Sequence, residues 1–290
     1  MKKIISIIGS ALLLVVISGC PGCPGSESPV RQLTTHTAID WFPSWSPDGE
    51  KIAFTSERTG NPDIWVMDTG GGNLKQLTTH TACDKVPAWS PDGEKIAFQS
   101  ERAGNADIWV MDADGGNLRQ LTTHTAHDVL PAWSPNGEKI VFHSERAGNL
   151  DIWVMDTGGE NLKQLTTHRT CDISPAWSPD GKKIVFTSER AGNLDIWVMD
   201  GDGENQRQLT THTARDAFPA WSPDGEKIVF MSERAGNSDI WVMDAGGGNL
   251  KQLTTHRACD VVSAWSPDGE KIAFMSDRTG NPDIWVLTLK

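Results

Sequence analysis

One feature constrains this chain more than any other: a period of 44 residues. W-S-P begins at Trp45, Trp89, Trp133, Trp177, Trp221 and Trp265, and D-I-W-V begins at Asp63, Asp107, Asp151, Asp195, Asp239 and Asp283, always 44 residues apart. Q-L-T-T-H keeps the same step from Gln32 to Gln252. The second and third copies agree at 33 of 44 positions, and twelve of the 13 tryptophans belong to the repeat, with Trp41 left over. A unit of this size cannot bury its own apolar face, so the copies must stack on one another.

Each copy predicts four short strands. Pro43–Ser46 is the first, and P-D-G after it supplies a tight turn with glycine where a positive φ is needed. Lys51–Ser56 is the second, Ile64–Met67 the third and Leu74–Thr78 the fourth. Apolar residues occupy both faces of the middle strands, so each small sheet is covered on both sides. Four strands, a period of 44 and two buried faces describe one blade of a β-propeller. The fold class is therefore all-β, a six-bladed propeller with four antiparallel strands per blade. The last copy ends at Lys290 without a fourth strand, and the segment from Val30 to Thr35 is a fourth strand with no blade before it. Pairing the two closes the ring through the N-terminal strand and leaves no open edge.

W-S-P-D-G followed by K-I-A-F, S-E-R and D-I-W-V-M-D resembles the TolB-like propeller repeat, over nearly everything after residue 29. The resemblance implies the propeller fold and, since members of this family act as envelope scaffolds, a binding role in the cell envelope. Fold alone does not assign function. The family's separate N-terminal domain has no counterpart expected here, so contacts that depend on it are not carried over.

Residues 1–19 form a different kind of segment, with Lys2 and Lys3 ahead of an apolar run from Ile4 to Ile17. I-S-G-C, ending at Cys20, resembles a bacterial lipobox, which implies cleavage before Cys20 and a lipid on it. Ordinary secretory cleavage nearby is the other reading, and both export the protein. Residues 20–29 read as a flexible tether, and residues 30–290 as the propeller.

The copies differ mainly between the histidine of Q-L-T-T-H and the tryptophan of W-S-P, on a connection expected to cross one face toward the central channel. Trp41, Lys85, His127, Arg169, Arg215 and Arg257 fall there and make up a candidate binding face; neutral drift in a tolerant loop would look the same. Asp40, Asp84, Asp128, Asp172, Asp216 and Asp260 do not vary. They predict either a ring of carboxylates near the channel mouth or turn aspartates bonded to their own loops. The repeated histidines, four residues earlier, predict a loop hydrogen bond. Cys83, Cys171 and Cys259 share one repeat position in alternate blades, too far apart for disulfides. The Glu57–Arg58 pair and its copies read as surface or cross-hairpin ion pairs of small worth.

These features predict a protein-binding scaffold that is not an enzyme, with no metal and no cofactor, anchored by lipid to the envelope, monomeric, and with an envelope protein as partner. With 26 Lys and Arg against 38 Asp and Glu, a formal charge of -12 and no basic block, a nucleic-acid partner is disfavoured. A metal-dependent sugar-active enzyme at the channel mouth and a structural envelope protein without a ligand are the alternatives. No G-x-S-x-G elbow occurs, so peptidase chemistry is not expected.

Overall fold

A computed structural model describes residues 5–8, 11–14 and 29–289. Cys20, the leader and the tether expected around it lie largely outside the described residues. Ile5–Ile8 and Ala11–Leu14 pair as a separate antiparallel two-stranded sheet. All the described secondary structure is strand or turn, and six four-stranded antiparallel sheets make up the propeller.

The first blade represents the others. Its strands run Asp40–Trp45, Lys51–Ser56, Asp63–Asp68 and Lys75–Gln76. The first is longer than the sequence suggests because a bulge carries the ladder past Pro43: Trp41 faces Thr55 and Ser44 faces Ala53, with two residues between them against one. The fourth is shorter, only two paired residues, a form that blunts an outer edge. The P-D-G turn is held by Asp48, whose Oδ1 accepts from Ser46 Oγ at 2.5 Å and from the Glu50 amide at 3.0 Å. Those two bonds hold the Asp48 carboxyl below its usual range.

The core lies in the seams between blades. Ile52, Phe54 and Met67 of the first blade pack with Ala273, Ile284 and Val286 of the last, and Leu33 joins them. The other seams repeat this pattern. All six phenylalanines of the Phe54 series are fully buried, each worth about 1.5–3 kcal/mol of transfer energy. The Trp65 series is only partly buried and packs at the margin of these clusters.

The ring closes as the sequence predicts. Val30–Gln32 pairs antiparallel with Asp283–Thr288, setting Trp285 opposite Gln32 and Leu287 opposite Val30. Leu33 N–H donates to Ile284 O at 2.8 Å, and Ile284 N–H donates to Thr34 Oγ1 at 2.9 Å. The same two bonds tie Leu77 and Thr78 to Ile64 inside the first blade, so the closing strand reproduces an ordinary fourth strand.

Candidate functional site

The register brings Asp40, Ser56 and Asp63 to one rim of the first blade. Connections from each fourth strand to the next first strand lie on that same face, here called the aspartate face. The first strands of neighbouring blades touch one another all the way round and so surround the axis.

The six aspartates do not form an open ring. Asp40, Asp84, Asp128, Asp172, Asp216 and Asp260 are all fully buried, and each pairs with the arginine of its own blade's S-E-R or S-D-R turn. Arg58 grips both Asp40 oxygens, at 3.1 and 2.9 Å, and Arg102 reaches Asp84 at 2.5 Å. The arginine Nε donates to the serine two residues before it, at 2.8 Å from Arg102 to Ser100. Its guanidinium lies 5.0 Å from the Trp109 ring centroid and 5.7 Å from that of Phe98. This corrects two expectations. The carboxylates bond neither solvent nor their own loops, and the S-E-R arginines do pair across the hairpin, as one of the two readings had it, but with a buried aspartate and not as weak surface contacts. Arginine suits such a place because one planar cation can bond and stack together.

A second carboxylate sits across each seam. Asp63 accepts from Thr78 at 3.2 Å and from Gln76 at 3.0 Å, and it feels the negative charge of Asp84 in the next blade. Burial first, and the neighbouring carboxylate in addition, push Asp107, Asp151 and Asp195 up to about 6 and Asp239 up to about 7. Among the described residues no three His, Cys, Asp or Glu side chains are grouped as a metal centre. Cys83, Cys171 and Cys259 are free thiols, and burial raises the pKa of each.

The loops over this frame are clamped at their base. His36 Nδ1 accepts the Ala38 amide at 3.0 Å, the loop bond the sequence predicts, and the other repeated histidines do likewise. Asn61 Nδ2 holds the following loop through His80 O at 3.1 Å and Ala82 O at 3.3 Å. Of the candidate residues on these loops, Arg169 and Arg257 are exposed and Arg215 is half-buried. Lys85 is buried, 3.5 Å from Glu101. His127 Nδ1 accepts the Ala106 amide at 3.2 Å. Trp41 is half-buried with its ring 6.0 Å from that of Phe42.

Sequence reasoning passed over one set of residues near the axis. Phe42, Val86, Leu130, Ser174, Phe218 and Val262 sit at the bulge of the first strand with φ between 51° and 57°, a region that bulky side chains rarely adopt. Four of their amides are drawn across the seam to the preceding blade, such as Val86 to Thr55 Oγ1 at 3.0 Å and Phe218 to Thr187 Oγ1 at 3.2 Å. The only sequence signal is their position just ahead of the repeated proline (serine in the last blade), where the six copies disagree.

Comparison with known proteins agrees with this architecture. The family model for the TolB β-propeller domain matches residues 25–85 and 124–217. The model for the Tricorn protease N-terminal β-propeller domain matches 63–150 and 194–289. A TolB homolog from Chlorobium luteolum is 47% identical over 45 residues, 16% of this chain and 10% of that protein. The Tol-Pal system protein TolB of Bordetella pertussis is 41% identical over 49 residues, 17% of this chain and 11% of that one. The aligned stretch is thus about a tenth of these relatives' length. The solved structure of a putative TolB from Agrobacterium tumefaciens superposes with a TM-score of 0.71 at 25% identity, covering 92% of this chain and all of that one. An oligogalacturonate lyase in complex with manganese reaches 0.64 at 16% identity over 95% and 97% of the two chains, a likeness of fold alone. Six blades with this repeat, closed in this way, place the chain in the TolB β-propeller family.

Proposed function

We propose that this propeller is an exported protein-binding scaffold of the cell envelope, held to a membrane by lipid on Cys20, and not an enzyme. Residues 1–19 serve as the leader, 20–29 as the tether and 30–290 as the binding ring. One observation carries the reading: six nearly identical blades differ chiefly on the loops of one face, while the histidine, asparagine and arginine contacts beneath those loops recur. A rigid frame that presents unlike side chains on one face suits recognition of a partner lacking six-fold symmetry. The naming of one relative as a Tol-Pal system protein supports an envelope setting. Since the aspartates are consumed in buried pairs, recognition falls to Trp41, His127, Arg169, Arg215 and Arg257, with the bulge residues beside them.

Affinity capture from native envelopes tests this. The bait is the mature ring, compared with a ring whose six variable stretches all carry the sequence of residues 81–86. A protein held by the natural ring and lost from the uniform one is the expected result. Equal capture by both would move the interaction to another surface, and capture by neither would overturn the scaffold reading. Cys20→Ser is expected to abolish incorporation of labelled fatty acid and to release the protein from membranes. A variant still labelled and still sedimenting with membranes would refute the anchor.

A further inference from the structure

The chain has twelve arginines, and the structure gives nine of them intramolecular work. Arg58, Arg102, Arg146, Arg190, Arg234 and Arg278 form the buried pairs with aspartate. Arg31, Arg119 and Arg207 cross the outer rim to backbone carbonyls of the next blade, as at Gly70, Gly158 and Gly246. The remaining three are Arg169, Arg215 and Arg257. No ion pair or hydrogen bond engages their guanidiniums among the described residues. Glu189, Glu233 and Asp277, on the neighbouring turns, make no ion pair with them, and Asp277 instead accepts the Cys259 amide at 2.8 Å.

These three are not scattered. They stand on three consecutive loops of the aspartate face, leading into Asp172–Trp177, Asp216–Trp221 and Asp260–Trp265. The equivalent loops of the other half carry Ile39, Cys83 and His127 at the position of Arg215, and threonine at the positions of Arg169 and Arg257. The one cation of that half's variable stretches, Lys85, is buried against Glu101. In the chain Arg215 and Arg257 lead into the bulge residues Phe218 and Val262, which with Phe42 of the next blade are only partly buried.

From this juxtaposition we infer that the half of the aspartate face over the fourth to sixth blades docks a carboxylate-rich protein segment carrying an apolar side chain. The inference rests on the scaffold reading and names the chemistry of its partner. Charge complementarity selects that occupant. A guanidinium fork takes a carboxylate by two parallel bonds, and because the loop backbones are already clamped, binding has only the side chains left to order. In a chain of formal charge -12, the general field repels acidic partners. Only a segment that reaches these three cations together overcomes it, which makes the docking selective.

The test uses the mature ring and a fluorescent peptide of alternating glutamate and glycine with one central phenylalanine, read by anisotropy. Saturable binding is expected, weakened about ten-fold or more in the triple variant Arg169→Gln, Arg215→Gln, Arg257→Gln. Raising salt from about 50 mM to about 500 mM should weaken it as well. A control variant with Lys75→Gln, Lys163→Gln and Lys251→Gln on the outer rim should bind as the natural ring does. Equal binding by the two triple variants, preference for a lysine counterpart of the peptide, or no binding would overturn the inference. So would a preference for anionic phosphatidylglycerol vesicles over the peptide, since the occupant would then be a lipid surface. The arginine variant, used as bait in envelope capture, separates the two readings. A partner still captured by it sinks the arginine site and leaves the scaffold standing, whereas peptide binding without any captured partner does the reverse.

Discussion

At the residue scale the structure turns on one substitution of partners. Asp128 and Arg146 are eighteen positions apart, yet the hairpin sets Asp128 opposite Ser144, and Arg146 two residues on folds back over Trp153 to reach the carboxylate. The pair is out of water, so its two charges depend on each other far more than an exposed pair would. Asp128→Ala leaves a buried guanidinium uncompensated and is expected to destabilise the ring by about 3–5 kcal/mol, measured by urea denaturation. Glu145→Ala, on the same turn but half-exposed, should shift stability by less than about 0.5 kcal/mol. Equal effects would refute the buried pairing. The invariance of the aspartates was plain in the sequence, and so was the invariance of the arginines. Their partnership was not, because S-E-R offers a glutamate next door and linear spacing does not show which carboxylate the chain buries.

At the scale of elements, the closing strand is the part whose removal tells most. Arg31 donates to the carbonyls of Thr69 and Gly70, and Gly71, with φ +85°, lies so near the closing strand that a Cβ there would stand 2.6 Å from Leu33 O. Gly60 has φ +105° but open space around it. Gly60→Ala therefore meets only the backbone penalty, about 1–2 kcal/mol, while Gly71→Ala must also push Leu33 away. The expected signature is local: faster hydrogen exchange at the Leu33 amide and proteolysis near residues 30–36 for Gly71→Ala, and neither for Gly60→Ala. Similar behaviour of the two variants would argue against this packing. Period, strand count and closure were all legible because each follows from counting repeats. The bulge was not: Phe42 and Val86 carry side chains that disfavour φ above zero, and what holds Val86 there is Thr55 of the neighbouring blade. Local propensity has no view of a contact across a seam. The arginines on the loops were visible as differences between copies, whereas their freedom from partners was visible only after the other nine had been placed.

At the scale of the whole molecule, six seams in a closed ring repeat one electrostatic problem. Each sets two buried carboxylates, of the Asp63 and Asp84 kinds, near a single arginine, and burial raises the first of them from 3.8 to about 6 in Asp107, Asp151 and Asp195 and to about 7 in Asp239. A carboxyl with a raised folded pKa binds more protons in the native ring than in the unfolded chain across that interval. Stability contributed by those protons is fully present below the unfolded value of 3.8 and is lost progressively as pH rises from there through the folded value. The exposed turn aspartates, Asp48, Asp92, Asp180, Asp224 and Asp268, have lowered values and act the other way, so their contribution is lost only as pH falls below the usual carboxylate range. The two sets together predict a stability maximum near pH 4, roughly, and a decline from there that levels off above about pH 7. Asp239 faces Asp260, Asn237, Gln252 and Thr254, and its decline should come last in the series. Asp239→Asn removes the ionisation while keeping a polar side chain in place, so the variant should melt closer to the natural ring at pH 5 than at pH 8, where it gains. Thermal melts at pH 5, 6, 7 and 8 decide the matter: a natural ring most stable at pH 8, or a variant with an unchanged pH slope, would show that the seam carboxylates stay charged and that the ring tolerates their repulsion.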